Sequence, residues 1–413
     1  MVKRSYHGEA VLPRKVLVVS VLVALTSAGC SLSNSNSGPS PQPSPSPALV
    51  LASDSKAADL RTRLDLLLGE HVFLIAKESA AAAGTRTDEY TAYTSLLTTN
   101  GSDLTNLMSS AFGDTAGAQF DQIWSASNGF FVDYTVGLVT HNPDKANGAI
   151  SNLTKTFVPQ FAQFIATQSQ LPLDPITQLS TEQVLESKAL IDDQAAQRYA
   201  KAYIDLLAAY AQTSRIGDAI ATRIAQKFPD KFPGDAGGKA AGLRVTLNEM
   251  LQEHAYLATM VTGAAVAGRA AEQTAAVKAL AGNEDALGTS FSSLFGSAGG
   301  TQFDRLWSAK DAALVAYATA TDASGRQGAL SALVDTYVSQ FAGLVNDATG
   351  VTDTTVTAAT RTQVQATVAV IDDQRSKAFA QMAPDDRTAA EAMQALADRV
   401  TDVVVAKLPA FRS

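Results

Sequence analysis

The sequence predicts an all-α fold: two tandem homologous antiparallel helical-bundle domains, following a signal peptide and a Pro/Ser-rich linker. Three observations predict it. Apolar residues step by three and four over long stretches, which is the repeat of one helix face. The same phrases occur twice at a nearly constant offset. Patches rich in Val and Thr, such as "VTDTTVTAATRTQV", lack the alternation and the turn dipeptides of strands.

Residues 1–29 read as a leader. Basic residues up to Lys15 precede the apolar run "VLVVSVLVALTSA", Val16 to Ala28. Such a run suits a signal peptide and falls short of the roughly 20 residues of a spanning helix. Gly29 and Cys30 follow, and Cys30 is the only cysteine. A lone cysteine is a buried apolar residue, a catalytic thiol or a lipid attachment point, and its place after the apolar run selects the last. "TSAGC" resembles the lipobox of bacterial lipoproteins, with Ser27 where Leu is commoner. The resemblance implies removal of residues 1–29 and diacylation of Cys30, palmitate being such an acyl group. The membrane is then a partner through Cys30, and the body lies outside the cytoplasm, at the cell membrane or outer envelope. Residues 30–56 read as a disordered tether. Its "SLSNSNSGPSPQPSPSP" favours an extended spacer over a core.

The duplication follows. Trp124 pairs with Trp307, Phe120 with Phe303 and Tyr134 with Tyr317, each 183 residues apart, and "LLGEHVFL" from Leu67 matches "MLQEHAYL" from Met250. After a three-residue deletion the offset is 180, where "ALIDDQ" from Ala189 matches "AVIDDQ" from Ala369. A repeat this long is a domain and not a solenoid unit. The boundary is "FPDKFPGDAGG" from Phe228, so the copies run over 57–232 and 239–411. Leu60, Leu64, Leu67, His71 and Leu74 share one helix face, as do Leu243, Leu247, Met250, His254 and Leu257. Helix ends are expected at Asn100-Gly101, Gly113, Asn142-Pro143 and "QLPLDP" from Gln170. That gives four long helices per copy, with one or two short ones between the first two.

The formal charge is −8, and the leader is its basic part. An acidic body without a basic stripe excludes nucleic acid as a partner. His71 and His254 occupy equivalent positions, each after a glutamate and on the apolar face. A histidine there is a satisfied core residue or a ligand, and a metal centre asks for three or four ligands. The acid pairs Asp192-Asp193 and Asp372-Asp373 recur after isoleucine. On a helix at most one of each pair points inward; they are a solvated face or, in a third reading, the acid and base of an enzyme. "F-D-x-[IL]-W-S-A" sets Phe and Trp four apart, an aromatic core stripe. No nucleophile elbow, metalloprotease helix or phosphate loop is present, so no catalytic constellation is found.

The two copies resemble a family of bacterial secreted proteins and lipoproteins, some labelled "copper amine oxidase-like". The resemblance rests on "LLGEHVFL", "GFFVDYTVG" after Trp124 and "IAQKFPDKF", and covers about residues 58–232 and 241–410. It implies histidines on several helices, one of them three residues past the Trp. This chain keeps only His71 and His254, with Ser127 and Lys310 at the position past the Trp. The expectation is therefore a lipid-anchored envelope protein with a binding or structural role, no enzyme and no cofactor. The alternative is a transition-metal or haem bundle using His71 and His254, with Asp192 and Asp372 as further candidates.

Overall fold

The computed structural model describes residues 51–351 and 354–411. The leader, the Cys30 attachment point and residues 30–50 of the expected tether lie outside these. The described chain is helical throughout, with no strand among the described residues. The first copy comprises α1 (Lys56–Ala83), α2 (Thr87–Phe112), α3 (Asp114–Val139), α4 (Pro143–Asn152), α5 (Val158–Ser169), α6 (Leu173–Ala195) and α7 (Tyr199–Lys227). The second comprises α8 (Lys239–Val266), α9 (Ala270–Thr319), α10 (Ala323–Ser331), α11 (Val338–Thr349), α12 (Thr354–Ser376) and α13 (Phe379–Lys407). A wider helical turn joins α4 to α5 (Leu153–Phe157) and α10 to α11 (Ala332–Tyr337).

Local chemistry accounts for the helix ends. Ser55 accepts the Ala58 N–H and starts α1. Asn142 and Asp322 do the same for α4 and α10. Gly113 ends α2 at φ 92°, and its equivalent Gly296 breaks α9 at φ 78°, a conformation glycine adopts without a Cβ clash. Two expectations need correcting. Asn100 and Gly101 lie inside α2. Asn100 is buried and donates to the Leu67 carbonyl and to Glu70, while Gly101 lies against the Trp124 indole. Here a turn dipeptide serves as a packing device. The long helices of the first copy also number five, and the short ones stand between the third and fourth of these.

The two copies form one compact unit with shared cores. α1 packs on α8, α7 on α9, and α13 on α2. By the repeat offsets the last two contacts are one contact made in both directions, so an approximate two-fold axis relates the copies. Phe73 and its equivalent Tyr256 stack on each other at 4.9 Å between ring centroids, on that axis. Gly69 admits the close approach. A Cβ there would lie 2.5 Å from the Tyr210 ring and 2.9 Å from Gln252, which is Gly69's own equivalent.

The symmetry fails in charge. Lys77 of α1 reaches Asp386 of α13 at 2.5 Å and Thr259 at 2.9 Å, and Tyr93 donates to the same Asp386 at 3.0 Å. The reverse positions are Met260 and Leu206, both apolar. One side of the interface is a buried ion pair, and the other is a hydrophobic contact.

Candidate functional site

Each copy holds one histidine in its interior, and the surroundings differ. In the second copy α8 supplies His254, and α9 supplies both Asn283 and, past its break, Trp307, Lys310 and Asp311. His254 is fully buried. Its Nε2 lies 2.6 Å from the Lys310 ammonium and 3.2 Å from Asp311. On the other side of the ring, Nδ1 lies 3.1 Å from the Asn283 oxygen and 3.1 Å from the Trp307 indole nitrogen, whose N–H can only donate. The Asn283 amide is oriented by donating to the Met250 carbonyl and to Glu253. Lys310 also pairs with Asp311 at 3.2 Å and stands 3.7 Å above the centre of the Trp307 ring.

The electrostatics follow from burial and pairing. Burial lowers the pKa of His254, with Asp311 opposing, and lowers that of Lys310, again with Asp311 opposing. Burial disfavours ionised Asp311, but His254 and Lys310 outweigh it and hold this carboxyl below its ordinary range. The result is an internal ion pair with the imidazole wedged against it.

In the first copy the equivalents of Lys310 and Asp311 are Ser127 and Asn128, both neutral. His71 Nε2 lies 2.8 Å from the Asn128 oxygen, and the Ser127 hydroxyl donates to the Trp124 carbonyl. Burial drops the His71 pKa to about 4, so the ring is neutral at pH 7. Where the second copy houses the lysine, the first leaves a cavity of about 30 Å³. Its walls include His71, Trp124, Ser127, Gln183, Ser187 and Thr213. That volume suits one or two water molecules, not a haem.

Set beside known proteins, the chain matches no family model, no curated protein and no solved structure.

The acid pairs lie apart from the histidines. Asp192 accepts from the Tyr134 hydroxyl at 2.5 Å and from Lys188 at 2.6 Å, tying α3 to α6. Its equivalent Asp372 accepts from Tyr317 at 2.9 Å. Asp193 is buried and pairs with Arg198 and Lys201, whereas burial and the nearby Asp385 raise Asp373 to about 6. Among the described residues no group of three or more His, Cys, Asp or Glu is placed to hold a metal ion. The acid that neutralises Lys310 is Asp311, while Glu253 is engaged with Asn283. Carrying the repeat comparison one residue past Lys310 would have exposed that Asn128-to-Asp311 change.

Proposed function

We propose that the protein is a lipid-anchored cell-envelope protein, attached through Cys30, whose helical copies bind or scaffold without catalysis. One observation carries the non-catalytic part: the buried Lys310 stands 2.6 Å from His254 Nε2, in the space a metal or substrate would need. For the anchor, the support is "TSAGC" after the apolar run. Among the described residues no helix is long and apolar enough to cross a membrane.

A second reading, a transition metal bound through the histidines, draws on the neutral imidazole of His71, the ligating form. His71 offers one nitrogen beside an amide and a hydroxyl, too few ligands for tight binding.

Two experiments test the proposal. Cys30→Ala should move the chain from the detergent-soluble membrane fraction to the soluble fraction; unchanged fractionation, or an intact leader by mass spectrometry, refutes the anchor. Calorimetry with zinc and copper on untagged protein should show only weak binding that survives His71→Ala with His254→Ala. Stoichiometric submicromolar binding abolished by that double change establishes the second reading instead.

A further inference from the structure

The two-fold arrangement of the copies creates a pair of clefts between them, and the two have diverged. In the first, α1 and the start of α7 face the second copy across a space of about 40 Å³. Its equivalent, where α8 and the start of α13 face the first copy, measures about 220 Å³. Tyr203 lines the small cleft, whereas its equivalent, Ala383, is not among the residues lining the large one.

The large cleft has also gained charge. Lys77, Arg375 and Lys377 line it, where the equivalent positions are Met260, Ala195 and Gln197. Arg86 and Arg269 line it too, but each is paired with its own glutamate, Glu89 at 2.6 Å and Glu272 at 2.7 Å. Lys77 is held by Asp386. Two cations remain. Among the described residues the Arg375 guanidinium is bonded to carbonyl oxygens alone, those of Tyr317, Ala318 and Ala320. Lys377 is exposed and has no ion-pair partner among the described residues. Neither has a carboxylate partner among the described residues, and positive charge of this kind in a cleft of an acidic protein draws anions to that cleft.

A second, independent observation points into the same space. Gln374 lines the large cleft, 8% exposed, and its amide nitrogen donates to the Thr259 carbonyl at 2.9 Å. That bond fixes the amide, so Oε1 is the opposite end, and it is buried with no donor among the described residues. In the small cleft the equivalent Gln194 makes the same carbonyl bond, to Ala76, and its oxygen takes a hydroxyl proton from Ser79. Thr262, in the place of Ser79, donates to Thr259 instead. A buried acceptor without a donor is costly, and a ligand carrying an N–H or O–H relieves it.

We propose that the large inter-copy cleft is a binding site for a small carboxylate that carries a hydroxyl or amino group, its anionic end at Arg375 and Lys377 and its donor at Gln374. The volume sits just under the roughly 300–1,000 Å³ of drug-sized ligand pockets, which suits a molecule of a few carbons. This deepens the reading of a binding protein and rests on it, but not on the lipid anchor.

The test uses the full chain in detergent at low salt, titrated calorimetrically with L-malate, L-aspartate and succinate. These share one carbon skeleton and differ in the donor: hydroxyl, ammonium or none. Malate or aspartate should bind at least about fivefold more tightly than succinate, the factor of one hydrogen bond to a buried acceptor. Gln374→Leu should erase that preference. Lys377→Gln, which installs the residue of the small cleft at an exposed position, should weaken all binding several-fold and flatten its salt dependence. No binding of any of the three, equal binding of all three, or unchanged affinity in Lys377→Gln overturns the proposal. Fractionation of Cys30→Ala has no bearing on these readouts, so the anchor and the cleft fail separately.

Discussion

Replacing Lys310 with Ser converts one residue of the second-copy site to its first-copy equivalent, and the first copy shows what space that leaves. The cavity beside His71 is about 30 Å³, which at roughly 24 cal/mol per Å³ costs about 0.7 kcal/mol. The charge left behind costs far more. Asp311 is 7% exposed and held ionised by His254 and Lys310 together, and removing one partner of a buried pair costs about 3–5 kcal/mol. Lys310→Ser should therefore destabilise several-fold more than its cavity predicts. Lys310→Ser with Asp311→Asn restores the neutral Ser127–Asn128 pattern and should lie within about 2 kcal/mol of wild type, a coupling of at least about 2 kcal/mol. Urea denaturation of the wild type, both single variants and the double variant closes this cycle. Costs that simply add in the double variant, or a single-variant cost near 0.7 kcal/mol, would refute the ion-pair account.

Other consequences are as open to measurement. Burial raises Glu78 from its ordinary 4.5 to about 8, so the folded state holds that proton more tightly and stability falls as pH rises from about 4.5 through 8. Relative to wild type, Glu78→Gln should gain stability across that window, by about 3 kcal/mol at pH 7; a difference that does not change with pH contradicts this. Gly69→Ala forces a methyl to within 2.5 Å of the Tyr210 ring and should cost about 1–3 kcal/mol, read as a lowered urea midpoint. Trp124→Ala and Trp307→Ala should each lose about 3–5 kcal/mol, since both indoles are buried among aromatic rings. Unchanged thermal unfolding in both would remove them from the core.

Periodicity made the helices legible, because a face such as Leu60, Leu64, His71 and Leu74 can be buried in only one way. The helix end at Gly113 could be read for the same kind of reason, since glycine alone takes its positive φ without strain. Asn100-Gly101 misled because a turn dipeptide and a buried amide with a close-packed glycine are spelled alike. Only the contact with Trp124 and Leu67 tells them apart. Within the histidine site, Lys310 was visible as a cation, and its partner was missed by one position. The inter-copy cleft was not legible at all. Its groups come from α1, α2, α8, α9, α12 and α13, and no periodicity relates Lys77 to an aspartate 309 residues away.

The single-sided ion pair at the interface bears on how such a chain could assemble. Suppose each half were made separately and left to choose a partner. Two first halves in the same arrangement would set Lys77 against Leu206, and two second halves would set Asp386 against Met260. Either pairing buries a charge with no counterpart on both sides of the axis, at a cost of about 3–5 kcal/mol for each orphaned charge. The mixed pair alone satisfies both. The interface is thus that of an obligate heterodimer carried on a single polypeptide. Fusion ensures one of each half in every molecule, and the lysine and aspartate leave each half unable to substitute for the other.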